Sequence, residues 1–262
     1  MTAIDTHAHI DQLEDLPGAM RRAQEAGISD IVAMSVDLPS MVKVLDISTQ
    51  YTLPKIHPAL GVHPGMVSAK GGSASGGKQQ AEALDFLKSN ITKVKVIGET
   101  GLDYQYKWVR KDEVERQLQK DSFAFHLQLA KEYNLPIVIH ARGAWRDCLS
   151  MAKNAGIEKA VFHWYSGPVD ILEQIIDAGF YVSTSPSVGY SPESRTAMTA
   201  APLTRILIET DAPVRYKSGE EFYLAEPKDV LRTLDALSAL KNADRQHVLD
   251  QVNQNAKYFF GI

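Results

Sequence analysis

The chain has 262 residues, 44% hydrophobic and 23% charged, with a formal net charge of −4. This is ordinary composition for a soluble globular protein of one or two domains, and it supplies no global positive field to coat nucleic acid nonspecifically. The lone cysteine, Cys148, cannot form a disulfide within the chain and suits a small buried residue in a reducing compartment. The N-terminus carries Asp5, His7 and His9 where a signal peptide needs an apolar run, and no stretch approaches the roughly 18 apolar residues of a membrane span. A cytoplasmic protein without membrane contact is expected.

Apolar, β-branched runs recur along the chain at residues 3–7, 30–36, 56–63, 94–99, 136–140, 159–163, 180–184 and 205–211. Near-continuous apolar runs, rather than strict alternation, suit parallel strands buried on both faces. Helical spacing fills the intervals. Val114, Leu118, Phe125 and Leu129 trace one face of a central helix, and Val248, Val252, Ala256 and Phe260 one face of the last. Asn154-Ala155-Gly156 and Asp177-Ala178-Gly179 each put a glycine where a helix stops before the next strand. The glycine- and serine-rich stretch from Gly71 to Gly77 lacks the Gly-Lys-Ser/Thr of a phosphate loop and is expected as a solvent-exposed spacer, with a mobile flap as the minor alternative.

Eight strand–helix alternations predict one α/β domain over residues 1–262, a TIM-type (β/α)8 barrel, or a seven-stranded variant if one strand is lost. A doubly wound open sheet would need a glycine-rich turn after its first strand, where this chain carries His7-Ala8-His9.

His7, His9, His63, His140 and His163 all fall at or just beyond the C-terminal end of an expected strand; Glu99 ends the fourth and Asp211 the last. In a barrel that rim is where catalytic groups converge. His7 and His9, spaced i, i+2, turn to the same face of a strand and can share one cation. The six groups His7, His9, Glu99, His140, His163 and Asp211 exceed the three or four protein ligands of one open metal site. The simplest division is two divalent ions bridged by Glu99, one on His7, His9 and Asp211, the other on His140 and His163. Cations about 3.5–4 Å apart can lower the pKa of a shared water, and Asp211 can hold that water and accept its proton. Imidazole with carboxylate suits zinc, manganese or iron, and magnesium if waters complete its shell.

The runs Asp5-Thr6-His7-Ala8-His9-Ile10-Asp11, Gly61-Val62-His63-Pro64, Gly98-Glu99-Thr100-Gly101-Leu102-Asp103-Tyr104, Leu135-Pro136-Ile137-Val138-Ile139-His140-Ala141-Arg142, His163-Trp164-Tyr165-Ser166-Gly167 and Glu209-Thr210-Asp211-Ala212-Pro213 resemble, in order and over nearly the whole chain, the signatures of the TatD family of metal-dependent deoxyribonucleases. The resemblance implies an amidohydrolase-like TIM barrel, two divalent cations, and hydrolysis of phosphodiester bonds of the 3'-to-5' exonuclease kind on DNA. Deacylation of aminoacyl-tRNA is associated with some relatives. Carried over by position, the ligands are His7, His9, Glu99, His140, His163 and Asp211, the set already reached from strand ends. Two departures alter the expected substrate wall. Ala141-Arg142-Gly143-Ala144 replaces the family's Ser-Arg-Asp-Ala. After Pro213 the chain reads Val214-Arg215-Tyr216-Lys217-Ser218-Gly219, then Ala225-Glu226-Pro227, where relatives carry an Arg-Gly-rich stretch and Asn-Glu-Pro.

His63 has no position in the two-metal division and is expected to donate to a substrate phosphate or leaving oxygen, or else to orient a ligand. Arg142 is a candidate for bidentate phosphate contact, or for an ordinary rim ion pair. Tyr104, in an expected tight turn after Glu99, is a candidate pocket residue. With Tyr106 and Trp108 it forms an aromatic cluster that either stacks unpaired bases, each worth roughly 1–3 kcal/mol, or packs a long loop. Glu209 is expected to hydrogen-bond a ligand imidazole. His57, His126 and His247 are expected in structural or surface roles. The leading function is a monomeric nuclease acting on single-stranded DNA ends, favoured by Arg142, Arg215 and Lys217 as phosphate partners. The alternatives are an amidohydrolase or deacylase acting on an ester or amide, and a non-catalytic metal-dependent binding protein.

Overall fold

The computed structural model describes residues 2–69 and 77–262; residues 71–76 of the glycine-rich stretch, and with them the spacer or flap expected there, lie outside the described residues. Strands and helices alternate in the order β1 (Ala3–Ala8), α1 (Leu16–Glu25), β2 (Ile28–Met34), α2 (Leu38–Gln50), β3 (Lys55–Leu60), α3 (Gly77–Asn90), β4 (Val96–Asp103), α4 (Glu113–Glu132), β5 (Ile137–Arg142), α5 (Trp145–Asn154), β6 (Ala160–Phe162), α6 (Val169–Asp177), β7 (Tyr181–Thr184), α7 (Pro192–Ala200) and β8 (Ile206–Ile208). A hairpin of β9 (Arg215–Ser218) and β10 (Glu221–Leu224) then precedes α8 (Val230–Lys241) and α9 (Arg245–Phe260).

Strands β1 to β8 pair in parallel in chain order. A parallel bridge between Ala8 and Ala212 closes the ring, helped by Thr6 Oγ1 donating to the Ile208 carbonyl at 2.8 Å and the Asp211 N–H to the His7 carbonyl at 2.8 Å. The eight-stranded form of the TIM barrel is therefore the one adopted. Gly156 and Gly179 end their helices with positive φ of 67° and 81°, as their positions after Asn154 and Asp177 predict.

Inside the barrel, Ile4, Val32, Met34, Ala59, Val96, Val138, Val161, Tyr181 and Leu207 form an apolar layer, and α9 plugs it from below with Ala256, Phe259 and Phe260. With one end stoppered, the other end holds the polar groups. Two residues beyond Val138 is His140, two beyond Val161 is His163, and two and four beyond Leu207 are Glu209 and Asp211. Strand alternation returns His140, His163 and Glu209 to the inner face, while Asp211 follows in the turn after β8.

Two local expectations need correction. Glu99 does not end its strand: β4 runs on to Asp103, with a register break between Ile97 and Thr100 that leaves Glu99 at an irregularity. Thr100 to Asp103 are thus strand rather than a tight turn. They pair closely with β5; a Cβ at Gly101, whose φ is 140°, would lie 2.1 Å from the His140 carbonyl oxygen. On α4, Leu129 is buried and Leu118 and Phe125 pack against the core as expected, but Val114 is 65% exposed, and the buried face extends through Glu115, Gln119, Ser122, Phe123, His126, Leu127 and Ala130. Apolar spacing missed it because three of its polar members bond backbone groups: Gln119 bonds the Pro64 carbonyl and the Asp103 N–H, His126 accepts the Val62 N–H at 3.0 Å, and one Glu115 oxygen accepts the Ala69 N–H. The polar face of α4 thereby fixes the loop after β3. None of the described helices is long and apolar enough to cross a membrane.

Candidate metal centre

All six expected ligands meet at the open end of the barrel. The two oxygens of Glu99 serve different sides. Oε2 lies 3.5 Å from His7 Nε2 and 3.3 Å from His9 Nε2, while Oε1 lies 2.7 Å from both His140 Nδ1 and His163 Nε2. Asp211 Oδ1 completes the first side at 3.4 Å from His7 Nε2 and 3.2 Å from His9 Nε2. Asp211 lies three residues past β8, in the left-handed region at φ 51°, a conformation that aspartate tolerates better than most residues. His7 stacks on His163, ring centroids 4.1 Å apart.

Burial works against charge throughout. It opposes the Glu99 carboxylate, yet the His163, His63 and His140 imidazoles outweigh it and hold the group well below the usual range. Burial would also raise Asp211, but contacts with His9 and His7 lower it. His9 is depressed by burial and more strongly raised by Asp211 and Glu99, reaching about 10. The same opposition raises His140 through Asp103 and Glu99, and His163 through Glu99 and Glu209. His63 departs the other way: burial pushes it down to about 3, with the Glu99 attraction offset by the facing imidazoles.

The donor set fits divalent cations. His7 Nε2 and His9 Nε2 approach to 3.3 Å, and Glu99 and Asp211 find imidazoles but no lysine or arginine as ion-pair partners among the described residues. Among the described residues, groups able to hold an ion are His7–His9–Asp211, His7–His163–Glu209 and His63–Glu99–His140. A cavity of about 660 Å³ opens over them, within the usual size of a small-molecule site.

A family description for TatD-related DNases matches residues 4–261. The chain belongs to that family. It is similar to a metal-dependent hydrolase of uncharacterised function from Bacillus subtilis, YabD, with 28% identity covering 98% of each chain. It is likewise similar to human deoxyribonuclease TATDN3, with 27% identity over 98% of this chain and 94% of the relative. Among solved structures, the TatD homologue YJJV from Escherichia coli superimposes with a TM-score of 0.86 at 25% identity, covering 99% of this chain and 98% of that one.

Around this TatD-family cluster stand groups that orient it. Glu209, as expected, faces a candidate ligand: its Oε1 lies 3.4 Å from His163 Nδ1, and it also accepts from the Ser183 hydroxyl. Asp103, expected in a turn, is fully buried, lies 3.0 Å from His140 Nε2 and accepts from Arg142 Nε at 2.8 Å. Its spacing of two and four from Gly101 and Glu99 along one strand was the available signal, hidden by the expectation that the strand stopped at Glu99. Arg142 borders the cavity, half-exposed, with its guanidinium over the Tyr106 ring; of its two alternatives the ion pair is the one present, Nε donating to Asp103.

Tyr104 does not line the cavity. Its hydroxyl donates to Asp147 at 2.8 Å and Arg116 covers its ring, so the expected three-ring cluster reduces to Tyr106 and Trp108, stacked at 4.5 Å. Tyr106 lines the cavity. The opposite wall, Trp164, Ser166, Ser187, Tyr190 and Ser194, escaped the sequence reading, although Ser183-Thr184-Ser185-Pro186-Ser187 is a polar run at a strand's rim end. His57 pairs with Asp30 at 2.7 Å, His126 holds the Val62 N–H, and His247 is exposed on α9, none of them in the cluster.

Two predictions arise here. Asp103→Asn weakens the carboxylate that orients His140 and is expected to lower cation affinity roughly 10–100-fold; calorimetric titration checks it, and unchanged affinity refutes the role. The second concerns pH. His9, raised to about 10 by Asp211 and Glu99, holds a proton at neutral pH in the cation-free cage, and a protonated nitrogen cannot ligate. Cation binding must therefore release about one proton or more, and affinity must rise with pH until His9 titrates near 10. Since that folded value exceeds the unfolded one, the proton stabilises the cation-free protein at low pH and the contribution fades as pH climbs toward 10. Filling the site in weak buffer at pH 7 without acidification would refute this.

Proposed function

We propose that this TatD-family protein is a divalent-cation-dependent nuclease that removes nucleotides from single-stranded DNA ends in the 3'-to-5' direction. The observation that carries the reading is the division of Glu99, one oxygen toward His7 and His9 and the other toward His140 and His163. It supports a pair of cations bridged by this carboxylate, zinc, manganese or magnesium. When bound, such a pair supplies Lewis acidity to a phosphoryl oxygen and lowers the pKa of an attacking water.

The chain's own residues supply the rest. Asp211 borders the cavity and is the carboxylate suited to orient the water and take its proton. Arg142 offers its outer guanidinium nitrogens to a phosphate. The Tyr106–Trp108 stack continues outward from the cavity, with Trp108 39% exposed, and suits a base next to the scissile bond. A cavity of about 660 Å³ takes a terminal nucleotide more readily than a continuous duplex.

The test is cation-reconstituted protein assayed on single-stranded DNA labelled at either end, on duplex DNA, on RNA and on a panel of carboxylic esters and amides. Stepwise shortening from the 3' end of single-stranded DNA is expected. Turnover confined to the esters or amides would replace the nuclease by hydrolysis at a carbonyl centre.

A further inference from the structure

The geometry points to His63 as a neutral hydrogen-bond donor to the reacting phosphoryl group, and neither a cation ligand nor a source of protons; the choice of phosphoryl rests on the nuclease reading above. By proximity alone His63 would be counted a ligand. Its Nε2 lies 3.3 Å from His140 Nδ1 and 3.6 Å from Glu99 Oε1, and it shares a possible ion site with both.

The other ring nitrogen decides the matter. His63 Nδ1 accepts the backbone N–H of Gly65 at 2.9 Å. An amide N–H can only be received by a nitrogen with a free lone pair, so Nδ1 carries no proton. The charged ring, with hydrogen on both nitrogens, is incompatible with the same contact. The single proton of the neutral ring is therefore on Nε2, and it points toward the cluster. A nitrogen bearing that proton has no lone pair to give a cation.

The candidate ligands beside it are arranged the opposite way. Outward from the cluster, His140 Nε2 faces the Asp103 carboxylate and His163 Nδ1 faces the Glu209 carboxylate. A carboxylate acceptor draws the proton to the outer nitrogen and leaves the inner lone pair free to bind, the usual arrangement behind a ligating histidine. His63 has an amide donor in that position, so its inner nitrogen keeps the hydrogen.

The contact is built into the loop after β3. The His63 N–H donates to the Val36 carbonyl, the Met66 N–H to the His63 carbonyl, and Gln119 to the Pro64 carbonyl. Gly65 leaves no space for a side chain: a Cβ there would lie 2.6 Å from the Tyr106 hydroxyl and 3.0 Å from His63 Nδ1. The ring also borders the cavity.

A neutral imidazole is too weak an acid to surrender its last proton to a leaving group. Its use is electrostatic: the Nε2–H strengthens its hydrogen bond as negative charge develops on a phosphoryl oxygen, and the proton stays on Nε2 throughout. Water adds across the P–O bond, and His63 leaves the reaction as it entered.

The direct test is 15N NMR of histidine-labelled protein, cation-free and zinc-loaded, together with cation counting in the His63→Ala and His63→Gln variants. The expected His63 signals are a protonated Nε2 and an unprotonated Nδ1 in both states. Both variants should keep the wild-type number of bound cations. His63→Ala should lose on the order of 10²–10³-fold in kcat on single-stranded DNA, and His63→Gln, whose amide N–H reaches the same space, should recover part of it. A proton on Nδ1, a zinc-bound Nε2, or a cation lost from either variant overturns the proposal. Should wild-type protein leave DNA intact, the nuclease reading fails, yet the NMR and the cation counts still decide between donor and ligand.

Discussion

Asp211→Asn is expected to lower turnover by at least about 10²-fold, the scale of losing a general base, in a protein that folds normally. The structural cost is small because asparagine has the same shape and shares aspartate's tolerance of the left-handed region, which Asp211 occupies at φ 51°. The bond from its N–H to the His7 carbonyl and the neighbouring Ala8–Ala212 bridge, both closing the barrel, involve backbone alone. What changes is the carboxylate. An amide cannot take a proton from water, and whichever way it turns it offers His7 and His9 at most one neutral oxygen in place of Oδ1. Steady-state turnover on whichever substrate of the assay panel the wild-type protein hydrolyses, with a thermal melt and a cation count of the same sample, separates chemistry from folding. Near-normal kcat in a folded variant removes Asp211 from the reaction.

The part of the site that was legible in sequence is the part governed by strand alternation. His140 and His163 follow apolar inner-face residues by even steps, so periodicity alone sends them inward above the layer of Val138 and Val161; Asp211 keeps the even step from Leu207 but lies three residues past β8 in the left-handed region. His7 and His9 were legible as a same-face pair from their i, i+2 spacing, but they stand three and five residues beyond the inner-face Ile4, odd steps that go with the register shift between Asp5 and Ala8. What periodicity cannot register is a break in itself. The irregularity between Ile97 and Thr100 puts Glu99 at the centre of the cluster while extending β4, and so hid Asp103. The buried polar face of α4 was hidden likewise, since Glu115, Gln119 and His126 are buried for the backbone groups they satisfy and no hydrophobic pattern records that. Tyr104 and Tyr106 are two apart, but the chain has left the strand by then, and the direction of each ring is set by Asp147, Arg116 and Arg142 rather than by position.

Glu99→Gln tests the bridge itself, and its effect should exceed that of Asp211→Asn. Glu99 is 2% exposed, and both oxygens are committed, Oε2 to the His7 and His9 side and Oε1 to the His140 and His163 side. Glutamine has the same size but only one oxygen. If that oxygen faces His140 and His163, the NH2 group is presented to His7 and His9, where a donor cannot share a cation with them; the reverse orientation abandons the other side. One cation is expected to be lost in either case, with turnover down by about 10³-fold or more, beyond a single oxyanion donor because charge and geometry go together. Asp211→Asn should weaken a single cation, leaving the His140 and His163 side at wild-type affinity. Elemental analysis of the two variants after saturation therefore distinguishes a bridging carboxylate from one that merely borders the cluster: two cations retained at native affinity in Glu99→Gln would mean that Glu99 bridges nothing, since no rotation of a single amide can replace two oxygens pointing apart.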